Sequence, residues 1–452
     1  MTWRTLFRLG VAASALFGLT PAPAYAAADP PPKVVQVSSD PFTNSSSQHQ
    51  TEVEAHTVTA GSTVVAVFQA GRFLADGGSS GIGFATSQNA GSTWTSGLLP
   101  GITIYDTPAG VFSRATDVTA AFDAKHGVWL TSTLACLPTT GCFTSNSVLV
   151  SRSTSGGTTW SMPTVVFSGG FLDHPWIACD HTPTSPHYGR CYVSINDYAT
   201  STDETVRTDD GGLTWSAGVA STLLFANQNV VQPNGDLVIV GGTVAVRSID
   251  GGLTFGAPVI LANLHLHPVV GMRVDFGITN VQVDAAGTLY VYWADCRFRS
   301  GCSANDIVYS TSSDALTWSS VKRIPLDKVT SGVDHFIPGL GIEAGTGGAS
   351  AHLALTYYFF PKAACTFPTP DTCRLEVGFS ESTDGGATWS KPRKLNHRAM
   401  DIAWLANTTP LGHMVGDYLS TAFTNGHTVT VFAMASKPVG SLLQEAMFAA
   451  VT

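Results

Sequence analysis

Apolar and polar residues alternate in short runs spaced along this 452-residue chain, broken by Gly, Ser, Thr, Asp and Asn. Such alternation, rich in β-branched residues, predicts half-buried strands. The runs come in pairs: 52–59 with 63–69, 115–122 with 127–133, 176–180 with 190–195, 227–232 with 236–240, 279–283 with 288–293, and 337–342 with 351–358. Each pair is followed by one copy of an eight-residue phrase. The cleanest copy is 382–389 (STDGGATW), and 208–215 (TDDGGLTW), 248–255 (SIDGGLTF) and 87–94 (SQNAGSTW) are close to it. Two copies are worn, 153–160 (STSGGTTW) and 311–318 (TSSDALTW).

The residue types in the phrase describe a turn. A short Asp or Asn side chain accepts hydrogen bonds from its own backbone, glycine adopts a left-handed conformation without steric cost, and the Trp folds back as an apolar plug. Each phrase is expected to join the third and fourth strands of a four-stranded unit. The copies begin on average 59 residues apart, a length that fits such a unit and points to a propeller or another repeat fold. Beyond the last copy, 417–423, 428–433 and 444–451 supply three more strands, and 33–38 near the N-terminus is a free one. Pairing that strand with the last three would remove an exposed edge and make seven blades. Six is the alternative, if a worn copy lies in an insertion.

Arg4 and Arg8, the apolar stretch 9–19 and Ala24-Tyr25-Ala26 read as a secretory leader, residues 1–26, before a single propeller domain, residues 27–452. Eight cysteines fall in four close pairs, Cys136/Cys142, Cys179/Cys191, Cys296/Cys302 and Cys365/Cys373, and four disulfides are expected in an exported protein. No pair has Cys-x-x-Cys spacing with a histidine beside it, so no metal or cofactor is called for. The net charge of −9, about −11 without the leader arginines, gives no footprint for nucleic acid and no general grip on anionic membranes or sulfated polysaccharides; a local basic pocket stays open. No segment is long enough to span a membrane.

Polar residues gather where the first strand of each unit would begin and face a central channel. They are Glu52 and Glu54, Arg114 and Asp117, Asp173 and His174, Gln228 and Asn229, Arg273 and Asp275, Asp334 and His335, and Asp417 and Tyr418. Carboxyls, arginines, histidines and a tyrosine converging on one pocket suit general acid/base chemistry on a sugar. The same residues would equally line a binding channel or lock neighbouring blades, as an Arg114/Asp117 pair would. His265 and His267 read as a solvated loop pair.

The repeated phrase is the Asp-box, and the chain resembles the secreted bacterial sialidase-like β-propellers over nearly all of its mature length. It shares with them the phrases 173–178 (DHPWIA), 290–297 (YVYWADCR) and 416–418 (GDY). The resemblance implies a propeller acting on an extracellular glycan or glycoconjugate as a monomer. Within it, 64–72 (VVAVFQAGR) is similar to the sialidase second strand, Asp76 falls near the place of the acid/base aspartate, and 416–420 (GDYLS) resembles the segment bearing the tyrosine nucleophile. Arg273 and Arg297 would stand for the later arginines of the carboxylate-binding triad. The first arginine, within Phe/Tyr-Arg-Ile-Pro, has no counterpart: 49–55 reads HQTEVEA, and Glu52 or Glu54 there would repel a sialic acid carboxylate. The expected chemistries are therefore an exo-sialidase-like hydrolase, with Asp76, Asp117, Asp173, His174, Asp334, His335, Asp417 and Tyr418 as candidate catalytic groups and Glu52, Glu54, Arg114 and Arg273 as candidate binding groups; a non-catalytic glycan- or protein-binding propeller; or a polysaccharide lyase.

Overall fold

The computed structural model describes Met1 and residues 32–137, 142, 146–222, 224–274, 277–362, 365 and 373–452. Residues 2–26 of the expected leader 1–26, and Asp275, lie outside the described residues. Residues 32–452 form one compact unit whose regular structure is nearly all β-strand, and among the described residues no helix is long and apolar enough to cross a membrane.

Among the described residues most strands fall into successive antiparallel meanders of four: four are separate sheets, two are joined into one eight-stranded sheet at Ser79↔Ala115, and one gains Met400–Asp401 as a fifth strand, while Ala406–Thr408 and Gly412–Met414 pair apart. The first comprises Glu52–Ala60, Thr63–Arg72, Ser79–Ser87 and Thr95–Leu98. The first strands of the next five are Arg114–Asp123, Leu172–Cys179, Gln228–Val231, Asn280–Val283 and Asp334–Ile342. The last meander runs Thr421–Thr424, His427–Val439 and Leu442–Val451, and its outer edge is Val34–Gln36 from the start of the chain, paired as Val34↔Ala450 and Gln36↔Phe448. The first strand of each meander lies against that of the next, and Thr421–Thr424 lies against both Asp334–Ile342 and Glu52–Ala60. Asp417 and Tyr418, expected inside a strand, precede it.

The repeated turns join third and fourth strands as expected. In 382–389 the Ser382 hydroxyl donates to Asp384 (2.8 Å) and receives the Gly386 amide (2.9 Å), while Asp384 also accepts from the Thr388 amide (2.8 Å) and hydroxyl. The bonds from Thr388 hold the Asp384 carboxyl down to about 2. The worn copy at 311–318 starts one residue later than the sequence suggests. There Ser312 donates to Asp314, the turn is one residue shorter, and Ala315 sits at φ 57°.

The plugs do not serve their own sheets alone. Trp160, Trp215, Phe255, Trp318 and Trp389 pack into five separate cores, each shared by the plug's own meander and the preceding one. A donor in the preceding sheet also reaches each of these turns: Thr86 to the Gly157 carbonyl (2.7 Å), Arg152 to Gly211 (2.6 Å), Arg207 to Gly252 (3.4 Å), Arg247 to Asp314 (2.8 Å) and Tyr309 to Gly386 (3.0 Å). The turn thus clips one sheet onto its neighbour.

All four expected disulfides are present. Cys136–Cys142, Cys296–Cys302 and Cys365–Cys373 lie where the second strand of a meander passes to the third, on the side where the first strands begin. Cys179–Cys191 clamps a first-to-second-strand connection.

Candidate functional site

One backbone device recurs in the first strands. Pairing slips between Val53 and His56, Thr116 and Thr119, Asp173 and Trp176, and Phe336 and Gly339. Inside each slip one residue adopts a left-handed conformation: Glu54 (φ 60°), Asp117 (φ 49°), His174 (φ 49°) and Ile337 (φ 47°). A bulge re-aims a side chain, and a non-glycine residue at positive φ is strained. Three of the four are ionisable, and all three belong to consecutive meanders.

These side chains meet a cluster from other elements. Glu54 is 1% exposed. Its Oε2 accepts from Gln69 Nε2, which also donates to the Thr116 hydroxyl (3.0 Å). Thr116 donates to Asp117 Oδ1 (2.9 Å), and the other Asp117 oxygen accepts the His174 amide (3.3 Å). Arg72, ending the second strand, donates to Gln69 Oε1 (2.6 Å). Arg273 pairs with Asp417 at 2.5 Å. Burial, then the carboxyls of Asp417 and Asp117, push Glu54 well above the usual carboxylate range. Burial, then Arg273, pull Arg72 below its ordinary value. Among the described residues, Glu54 Oε1, Arg72 Nε and His174 Nε2 have no hydrogen-bond partner. Unpaired polar atoms this deeply buried are rare in native folds.

An aromatic wall closes the cluster. His174 stacks on Trp176 (5.7 Å), while Tyr418 stands edge-on to both. The Tyr418 hydroxyl donates to the Val118 carbonyl (3.0 Å), and burial raises it well above the usual phenol range. His56 receives the Ala120 amide on Nδ1 (3.1 Å), and burial lowers it to about 4. Beside Asp417 a cavity of about 150 Å³ is lined by His267, Asn280, Asn305 and Ile337 among others.

The other expected site residues lie apart. Glu52 faces the seam with the last meander, accepting from the Ser38 hydroxyl and the Met447 amide (3.0 Å); burial raises it to about 7. Asp76 is on the 73–78 loop with its side chain 61% exposed, 3.9 Å from Arg114. Arg114 binds the carbonyls of Ala75 (2.6 Å) and Gly77 (2.8 Å) and covers the Phe73 ring, so its ionic partner is Asp76 and not Asp117. Asp173 is half-buried in the third meander. Asp334 accepts from the Asn305 amide (2.7 Å) and side chain (3.0 Å), and burial raises it to about 6. His335 sits between Tyr357 and Phe359, lowered by burial to about 4. Arg297 is bound to Asp295 (2.7 Å).

His335 also belongs to the one group among the described residues with metal-ligand geometry, together with Asp306 and Asp327. Arg299 lies 2.6 Å from Asp306 and 2.8 Å from Asp327, and Arg323 bridges the same two carboxylates. Two guanidinium groups thus neutralise the oxygens a cation would need.

Sequence reasoning missed Arg72, Gln69, Thr116 and Trp176 as members of the cluster. A lone arginine closing an apolar run was the available signal for Arg72.

No protein-family model and no curated protein matches the chain. Similar solved structures include the Hadza microbial sialidase Hz136 (14% identity, 89% of this chain and 66% of that one, TM-score 0.46). A leech intramolecular trans-sialidase complexed with 2,7-anhydro-Neu5Ac matches at 15% identity over 69% of this chain and 65% of its own, TM-score 0.46. YCF48 bound to D1 peptide matches at 14% identity over 96% and 99%, TM-score 0.45. The chain thus spans about two thirds of the length of the two sialidase structures. At such identities and TM-scores none of their activities transfers to this chain.

Proposed function

We propose that the chain is a secreted, monomeric seven-bladed β-propeller, exported by the leader 1–26, that hydrolyses a glycosidic bond of an extracellular glycan at its channel. Glu54 is the general acid and Asp117 the base or nucleophile. The observation that carries this reading is the contrast between the two carboxyls on adjacent bulges. Burial pushes the Glu54 carboxyl well above the usual carboxylate range and leaves one of its oxygens without a partner among the described residues, whereas Asp117 accepts a hydrogen bond on each oxygen. Two carboxyls held in different surroundings on neighbouring strands are what glycoside hydrolysis uses. Arg273, partly exposed and paired with Asp417, would orient a polar sugar substituent at the mouth.

The burial of Glu54 and of the Tyr418 hydroxyl favours one second reading, a propeller that holds a glycan without cutting it. The test is the oxidised mature protein against fluorogenic glycosides, sialosides and polyuronides. The hydrolase reading expects turnover, lowered at least a hundredfold in Glu54→Gln and in Asp117→Asn with melting temperatures kept. An unsaturated, ultraviolet-absorbing product would select a lyase instead. No turnover, with glycan-array binding intact, would leave the binding reading.

A further inference from the structure

One large cavity lies away from the channel cluster. A cleft of about 1090 Å³ opens between the sixth meander and the last, where the N-terminal strand Val34–Gln36 forms the edge. That size is at the top of the ~300–1,000 Å³ typical of small-molecule sites, room for several sugar units. Its lining concentrates positive charge in an acidic protein. Lys362, Arg374, Lys394, Arg398 and Lys437 line it, five of the 23 lysines and arginines of the chain. Lys362, Arg398 and Lys437 are exposed.

The acids in the lining offset this charge only in part. Glu376 is paired with Lys394 (2.6 Å). Glu445 is buried and accepts the Ala406 amide (2.7 Å); Asp40 is buried and accepts the amides of Phe42 (2.8 Å) and Thr51 (3.2 Å). The half-buried Trp404 supplies an aromatic wall, held by a short 3-10 turn that Asp401 caps through the Ala403 amide (3.1 Å). Gln36, Gln50 and Gln444 add amides able to donate to and accept from hydroxyl groups.

We propose that this cleft is a second carbohydrate site, separate from the channel, that takes a short segment of an anionic polysaccharide bearing carboxylate or sulfate groups. Fixed cations beside an aromatic face and flanking amides suit a chain that carries both charge and hydroxyls. A concave site does not fit a flat bilayer, and the net negative charge of the protein opposes binding along a nucleic acid.

The test is calorimetric titration of the full mature protein with trigalacturonate and with a chondroitin sulfate tetrasaccharide, at low and at raised salt. Saturable binding of either, weakening with salt, is expected; the two arms separate carboxylate from sulfate as the group recognised. The charge reversals Arg398→Glu and Lys437→Glu, both at exposed positions, should together cost tenfold or more in affinity, and Trp404→Ala should weaken binding while sparing the overall fold as read by circular dichroism. Glu54→Gln should leave it unchanged, so this site can stand or fall independently of the channel chemistry. Failure of both oligosaccharides to bind, affinity untouched by the reversals, or equal binding of a poly-glutamate peptide would overturn the proposal, the last in favour of an acidic protein partner.

Discussion

Tyr418 and Glu54 show how far burial decides what a residue can do. Both stand in the channel cluster, yet the Tyr418 hydroxyl is spent on the Val118 carbonyl, whereas Glu54 keeps an oxygen without a partner among the described residues. Tyr418→Phe should therefore lower stability by about 1–2 kcal/mol, the cost of stranding a buried carbonyl, and leave turnover within a few-fold of the parent. A thermal melt alongside the glycoside assay checks this, and a loss of turnover matching that of Glu54→Gln would return the hydroxyl to the chemistry. Glu54, Asp117 and His174 were legible in the sequence as polar residues at the leading ends of apolar runs. Arg72 was not, because an arginine closing VVAVFQAGR reads as a stem reaching for solvent, and only the fold turns it inward, 2% exposed. The direction of the Tyr418 hydroxyl was equally hidden, since its acceptor lies 300 residues away.

The repeated turn, taken as an element, was legible as local chemistry in its cleaner copies and only in half as architecture. Its Ser, Asp, Gly and Thr positions specify the bonds seen in 382–389, because every partner lies within the phrase. Its second role depends on a neighbouring sheet that no local pattern encodes. Gly157 makes the point: it sits at φ +78°, and a Cβ there would lie 2.5 Å from Val65 Cγ2 of the preceding meander. Gly61 has a similar backbone (φ +57°) with nothing within 4 Å of its Cβ position. Gly61→Ala should cost about 1 kcal/mol, the strain of a left-handed alanine. Gly157→Ala should cost about 2–4 kcal/mol, since the clash adds to that strain. Urea unfolding of the two variants reads the difference directly, and equal costs would show that the turn does not clip the sheets together.

Across the whole molecule, the N-terminal strand was legible because its alternation was free and the last three strands lacked a fourth; the role of Glu52 was not, because it looked like a channel residue. Glu52 lies at that seam, receiving Ser38 from the N-terminal segment and Met447 from the last meander. Its pKa rises from 4.5 to about 7 on folding. The folded state therefore holds a proton that the unfolded chain releases, so the stability is fully present below about pH 4.5, is lost as pH climbs toward 7, and is level above it. His56 and His335, lowered to about 4, work in the opposite sense between about pH 4 and 6.5, and would mask the effect in the parent protein alone. Comparison with Glu52→Gln removes them from both sides. The variant keeps an acceptor for Ser38 and Met447 but has nothing to ionise. Relative to the parent it should gain on the order of 2–3 kcal/mol between pH 5 and pH 8, read as a melting temperature that falls less steeply with pH. A parallel pH profile would mean that Glu52 is ionised in the fold, and that the seam carries a buried negative charge which the N-terminal strand must neutralise by some other contact.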